Sequence, residues 1–152
     1  YYTDGHVAVG VSPSYYVDVL HPAFEQGARD AGKDPNTLEK FAWVSTAFDP
    51  DEEKALEAAR RYGGLLVPEA YHSIQDPRQI EEAGRSVSDA QMAEALCIGS
   101  KPEQIIERMS AFAEIGCNHI LMVDMSPNPD LLAEICAKEV LPELRRRYPE
   151  VA

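Results

Sequence analysis

Cations are scarce in this 152-residue chain: 14 Lys and Arg stand against 26 Asp and Glu, a formal net charge of −12 at pH 7. No basic run is longer than Arg145-Arg146-Arg147. Such a surface repels phosphate backbones, which excludes a nucleic-acid binder that tracks its ligand by charge, and it suits an anionic membrane surface no better. Long apolar runs are missing too. None approaches the ~18 residues of a membrane-spanning helix, and the opening Tyr1-Tyr2-Thr3-Asp4-Gly5-His6 has no basic stretch followed by an apolar one. A cytoplasmic location is the expectation. Cysteine is limited to Cys97, Cys117 and Cys136, an odd set without CxxC spacing, each inside an apolar stretch. They read as reduced core thiols.

What is present is ordinary globular material, 45% hydrophobic and 26% charged, at a length of about one domain. Residues 1–152 are therefore read as a single domain. The chain opens on Tyr rather than Met, which raises the expectation of further residues upstream.

Gly5-His6-Val7-Ala8-Val9-Gly10-Val11 is an apolar run behind an Asp-Gly turn, and it leads into a helical pattern at Ser12-Pro13-Ser14. That helix is expected to carry Val17, Leu20, Phe24 and Ala28 on one face, to bend at Pro22 and to stop near Ala31-Gly32. Phe41 through Phe48 is apolar at both alternating positions, the pattern of a central strand covered on both sides, and Trp43 is placed in the core on periodicity. Asp49-Pro50-Asp51-Glu52-Glu53 begins a helix with Asp49 as its cap and runs to about Tyr62; its carboxylates face the positive end of the dipole and are not a metal site. Residues 65–87, punctuated by Pro68, Pro77 and Gly84, form an irregular excursion with a short helical piece around Arg78 to Ala83. Gly63-Gly64 follows a helix and lacks a lysine, so it is no phosphate loop.

Ser88-Asp89-Ala90-Gln91 and Ser100-Lys101-Pro102-Glu103 both spell capping boxes. After the second, Ile105, Ile106, Met109, Phe112 and Ala113 share a helix face that ends at Ile115-Gly116. Asn118 through Asp124 then reads as a buried strand opened by a structural His119, and Pro127-Asn128-Pro129-Asp130 starts a last helix. The recurring strand, turn and helix predict an α/β fold with about three parallel strands and flanking helices. A closed (β/α)₈ barrel takes roughly 250 residues, so the chain is expected to be part of something larger.

Several blocks carry a family resemblance: Leu20-His21-Pro22-Ala23-Phe24-Glu25-Gln26-Gly27-Ala28, Phe48-Asp49-Pro50-Asp51, His72-Ser73-Ile74-Gln75-Asp76-Pro77, and Ile98-Gly99-Ser100-Lys101-Pro102-Glu103 through Gly116-Cys117-Asn118-His119-Ile120. In these the chain is similar to the C-terminal part of the luciferase-like superfamily, nearest to its deazaflavin-dependent glucose-6-phosphate dehydrogenase branch, over Asp4 to about Arg147. The resemblance implies the C-terminal part of a (β/α)₈ TIM barrel, with coenzyme F420 at the C-terminal ends of the strands and FMN as the alternative cofactor. It implies hydride transfer to or from a small organic substrate. The family's catalytic histidine and aspartate lie near the start of the barrel and have no counterpart here; His6, His21, His72 and His119 do not match them, so the isolated chain is expected to be inactive.

The branch holds its sugar phosphate with basic residues at positions that match Val11 or Ser12, Tyr71 and Ala95. None of these is basic, so a phosphate would lose its charge-assisted partners and glucose-6-phosphate is not the expected substrate. The resemblance thus implies a substrate pocket at Val11, Ser12, Tyr71, His72 and Ala95. Thr46, Asp49, Asp124 and Ser126 also fall at strand C-terminal ends, where such barrels build their sites, although capping and turn closure account better for Asp49 and Asp124. The competing readings are a flavin-dependent monooxygenase of the same superfamily and a non-catalytic binding or assembly module that folds alone and hides its open sheet by dimerisation; the expected partner is thus a second copy, as a homo-oligomer, or, for the enzyme reading, a missing N-terminal half.

Overall fold

The computed structural model describes residues 4–149. The three apolar runs are parallel strands, β1 (Gly5–Val9), β2 (Glu39–Phe48) and, following a further short strand β3 (Cys97–Gly99), β4 (His119–Asp124). β2 is central, as its double-sided apolar pattern predicts. β1 lies along its first half from Gly5↔Glu39 to Val9↔Trp43, and β4 spans its middle from Phe41↔His119 to Thr46↔Asp124. β3 pairs with its end, Thr46↔Cys97 to Phe48↔Gly99. Thr46 registers with both Cys97 and Asp124, so β3 and β4 occupy opposite edges and β3 continues the line where β1 stops. Three residues carry no readable period, which is why β3 adds to the expected strands.

The helix after β1 covers residues 13–30 and is not uniform. α-Helical Pro13–Tyr15 gives way to a π turn, Tyr16–Leu20, before α-helical His21–Asp30. The helix over 129–147 repeats the device, with a π turn at Cys136–Val140 between Pro129–Ile135 and Leu141–Arg147. Each π turn ends just before a proline, Pro22 or Pro142, and the residue ahead of that proline donates its N–H five residues back, His21 to Tyr16 and Leu141 to Cys136. A proline ring inside an α-helix collides with the carbonyl four residues earlier; the wider turn moves that carbonyl aside. The same widening corrects the expected apolar face. Tyr16 is fully buried in the core against which Leu20 packs, and Val17 is exposed.

Two caps also differ from expectation. Asp51, not Asp49, caps the helix Glu52–Arg60 by accepting from the Glu53 N–H at 3.1 Å. Asp49 accepts from the Asp51 N–H at 2.9 Å, an Asx turn that leads the chain into that cap. At the helix Pro102–Glu114, Gln104 rather than Glu103 reaches back, its Oε1 accepting from the N–H groups of Ser100 and Lys101. The Ser100 hydroxyl bonds Glu52 instead. The Ser88–Gln91 capping box of the helix Asp89–Ala95 forms as spelled.

The main core lies on one face of the sheet. Ala8, Ala42 and Val44 pack against Tyr16 of helix 13–30, Ile105, Ile106, Met109 and Phe112 of helix 102–114, and Leu132 and Val140 of helix 129–147. Cys97 and Cys117 are buried and Cys136 is half-buried, all three with free thiols; burial pushes the Cys97 thiol up to about 11. The opposite face carries Val7, Val9, Phe41, Trp43, Leu121 and Val123 by strand alternation. Over most of its length no element among the described residues covers it: Val7, Val9, Trp43 and Leu121 are all exposed. Only its C-terminal end is roofed, where Ala47 meets Ala58, Ala59, Met92 and Leu96 in a second, smaller core. Among the described residues no helix is long and apolar enough to cross a membrane.

Candidate functional site

The roof is the excursion between β2 and β3. It consists of two 3₁₀ turns, Gly63–Leu66 and Pro68–Tyr71, and the helices Pro77–Gly84 and Asp89–Ala95. Its glycines hold it together. A Cβ on Gly84 would lie 2.4 Å from the Gly64 nitrogen, and one on Gly64 would lie 2.6 Å from Ile80 Cγ2, so the turn and the helix can touch only because both residues lack side chains. Gly63-Gly64 is thus a packing contact, in keeping with its reading as no phosphate loop.

Between this roof and the adjoining bare part of the sheet face lies an open cleft of about 990 Å³. Its floor is Val9, Val11, Trp43, Ser45 and Val123, and its roof Leu65, Leu66, Pro68, Val87, Gln91 and Ala95. Gly10, at φ 63°, turns the chain from β1 so that Val11 and Ser12 reach the rim, a conformation that favours glycine. The walls are mainly apolar. Glu94 and Asp124 are the charged residues on the lining, and no Lys, Arg or His is among the described residues there.

Of the residues that the resemblance picked out, Val11, Ser12 and Ala95 meet in this cleft, contributed by the end of β1 and by the helix Asp89–Ala95. The Ser12 hydroxyl accepts from the Tyr15 N–H at 3.2 Å and shares a hydrogen bond with Ser14. His72 stands elsewhere, exposed in the turn behind Pro68–Tyr71, because the Glu69 carbonyl gathers the N–H groups of His72, Ser73 and Ile74 and turns the chain outward. The side chain of Tyr71 lies outside the described residues. At the strand ends, Asp124 Oδ1 accepts from the Ser126 N–H at 2.7 Å and Ser126 Oγ accepts from the Phe48 N–H at 3.0 Å, stitching β4 to β2 beside the cleft. Thr46 is fully buried, its hydroxyl donating to the Val44 carbonyl.

Trp43 corrects the sequence reading. It is 39% exposed and sits in the cleft floor rather than in the core. Periodicity assigns a residue to a face of the sheet and is silent on whether that face is covered. Gln91, Glu94, Leu65 and Leu66 were likewise not expected at the site, since the excursion has no period of its own. His119 is at the far end, stacked on Phe41 with centroids 4.3 Å apart and 3.7 Å from Glu39. Among the described residues, no group of three or more His, Cys, Asp or Glu is placed to hold a metal ion.

A family model described as luciferase-like monooxygenase matches residues 1–119. An F420-dependent glucose-6-phosphate dehydrogenase of Segniliparus rotundus is 30% identical over 146 residues, 93% of this chain and 43% of that protein. One of Mycolicibacterium fortuitum is 30% identical over 94% of this chain and again 43% of its own length. Among solved structures, an F420-dependent secondary alcohol dehydrogenase in complex with an F420-acetone adduct superposes with a TM-score of 0.89 at 34% identity, over 95% of this chain and 44% of that one. A coenzyme F420-dependent tetrahydromethanopterin reductase from Methanopyrus kandleri, 21% identical with a TM-score of 0.71, shares the fold over 93% of this chain and 45% of that one. The chain spans less than half the length of these relatives.

Proposed function

Because the chain belongs to the luciferase-like monooxygenase family, we propose that it is the C-terminal, substrate-side part of an F420-dependent oxidoreductase. Its reaction is hydride exchange with a small, neutral organic substrate, not a sugar phosphate. The observation that carries this reading is the cleft lining, apolar with two carboxylates and without a cation among the described residues. Binding a phosphate dianion there would place it beside Glu94 and Asp124 with no charge-assisted donor, whereas an alcohol or ketone needs only an apolar wall and one polar contact. The names of the relatives support the cofactor, and the solved secondary alcohol dehydrogenase with its F420-acetone adduct supports a small neutral substrate.

The residues present fit part of the cofactor. Val9, Val11 and Trp43 give an apolar surface on which a ring system or a small substrate can lie, while among the described residues the cleft offers no cation to an anionic tail. Coenzyme F420, when bound, supplies the hydride acceptor and donor. This chain's own contribution is to bind and orient: Val11, Ser12 and Ala95 line the pocket, Trp43 forms its floor, and Glu94 and Asp124 disfavour anions. The bare sheet face and the unpaired outer edges of β1 and β4 call for completion, by the remaining barrel strands or by a second copy. The same reading has the protein working in the cytoplasm, without a nucleic-acid or membrane partner.

Trp43 is the chain's single tryptophan, so its emission reports the cleft directly. Titration with cyclohexanol or 2-butanol is expected to shift it saturably, and glucose-6-phosphate is expected to leave it unchanged. Parallel titrations of F420 and FMN, followed by absorbance, separate the deazaflavin reading from the flavin one. A saturable response to glucose-6-phosphate with none to the alcohols overturns the substrate assignment.

A further inference from the structure

The helix Asp89–Ala95 supplies Gln91, Glu94 and Ala95 to the cleft, yet seven residues are too few to hold a helix in water without outside support. Its first residue is gripped from one side. Arg60, at the end of the helix Glu52–Arg60, donates Nε and Nη2 to the two carboxylate oxygens of Asp89 at 3.0 and 2.9 Å, while its Nη1 bonds Glu53 of its own helix. Its last turn is gripped from the other. Arg108 Nη1 donates to the Glu94 carbonyl at 2.9 Å, and Nη2 donates to the carbonyls of Ala93 and Leu96.

Arg108 is unusual in this acidic chain because, among the described residues, its hydrogen bonds go to carbonyl oxygens and to no carboxylate, although carboxylates outnumber cations by 26 to 14. It satisfies carbonyls that a helix end leaves without partners, at the negative end of the helix dipole. It is half-buried and does not itself line the cleft. It stands on helix 102–114, between Ile106 and Met109, both buried in the main core. A planar fork rooted in the scaffold thus fixes a wall of the cleft that the excursion alone would leave loose.

We propose that Arg108 is the positioning residue that sets the width of the cleft at Gln91 and Ala95, and through it the size of substrate accepted. The proposal rests on the cleft being the substrate site, but its structural half stands apart from that reading and is tested separately. Arg108→Lys keeps the positive charge at the helix end and cannot span three carbonyls; Arg108→Ala removes both.

Two measurements without any ligand come first. In both variants, amide hydrogen exchange over residues 92–96 is expected to accelerate while residues 105–112 stay as protected as in the parent, and acrylamide quenching of Trp43 is expected to increase. Unchanged exchange at 92–96 in both variants overturns the proposal, as does an equal loss of protection at 105–112, which would make Arg108 a general stabiliser. The Trp43 titrations follow. A fixed apolar wall discriminates by about tenfold or more per methylene, so the ratio of affinities for 2-butanol and a longer secondary alcohol is expected to collapse toward unity in Arg108→Lys. A looser helix with an unchanged ratio overturns the specificity role. If the parent protein binds no alcohol, it is the proposed function that fails, and the exchange result still decides whether Arg108 positions the wall.

Discussion

On the helix-covered face of the sheet, Ala8, Ala42 and Val44 are 2%, 0% and 3% exposed; on the other face, one residue away along the same strands, Val7, Val9 and Trp43 are 51%, 54% and 39% exposed. Both sets are apolar, and both sit in parallel strands, which ordinarily have each face covered. Composition does not separate them. What separates them is the supply of covering elements: the helices over 13–30, 102–114 and 129–147 all pack on the first face, and the excursion roofs only the end of the second. The first face therefore carries the stability of the chain, and the second carries the candidate site. Row by row the bare face is an ordered surface, Val9↔Trp43↔Leu121 standing side by side across β1, β2 and β4.

The sharpest way to break this contrast is to cut the covered face. Phe112 is 2% exposed within the main core, and Phe112→Ala is expected to cost ~3–5 kcal/mol, from lost burial plus the cavity left behind. Urea unfolding measures it. A loss below ~1 kcal/mol would mean that the main core does not carry the fold. Next in size is the contact that builds the roof. Gly84→Ala drives a methyl against the Gly64 backbone and is expected to cost ~1–3 kcal/mol, with the damage confined to the excursion. Acrylamide quenching of Trp43 should rise as the cleft loosens, while amide protection in helix 102–114 stays at its parent value.

The same contrast explains what could be read from the sequence. Strands β1, β2 and β4, the helix 102–114 and the last helix were legible because their apolar spacing is long and regular, and the turns because Asp, Ser, Gly and Pro act locally; β3, with three residues, was not. Cap positions slipped by one or two residues, at Asp51 and Gln104, since several polar side chains compete for the same N–H groups and only tertiary packing selects among them. Tyr16 escaped because a π turn changes the helical phase. For the site, Val11, Ser12 and Ala95 could be named through the resemblance, but Trp43 looked like core. Its strand has the pattern of a double-covered strand, and nothing local tells which cover is absent.

Acid should separate the two faces further. His6 lies on the covered face, its ring 4.3 Å from Phe24 and 5.5 Å from Tyr16, with both ring nitrogens buried and unpartnered. Burial, reinforced by the neighbouring His21 and Lys40, holds its imidazole below the ordinary value of 6.5. The folded state therefore prefers neutral His6, and the unfolded chain binds the proton more readily. That preference contributes fully above about pH 6.5 and is lost as the pH falls from there through the folded value. Stability of the parent should decline over this window more steeply than that of His6→Phe, in urea melts taken at a series of pH values. Parallel pH profiles in the two proteins would remove His6 from the account.

The smallest expected change is on the bare face. Val9→Thr and Leu121→Thr keep branched or compact side chains that suit a strand, and at 54% and 43% exposure in the parent each should alter the stability of the isolated chain by no more than ~0.5 kcal/mol. Their effect belongs to association. If a second copy covers this face, light scattering should find a larger particle for the parent and the 16.8 kDa chain for the double variant. If the face is reserved for the remaining strands of a barrel, both proteins should run as monomers, and the parent alone should bind an apolar dye such as ANS strongly. A loss of several kcal/mol in a monomer would contradict the division itself, because it would mean that Val9 and Leu121 already have partners within the chain.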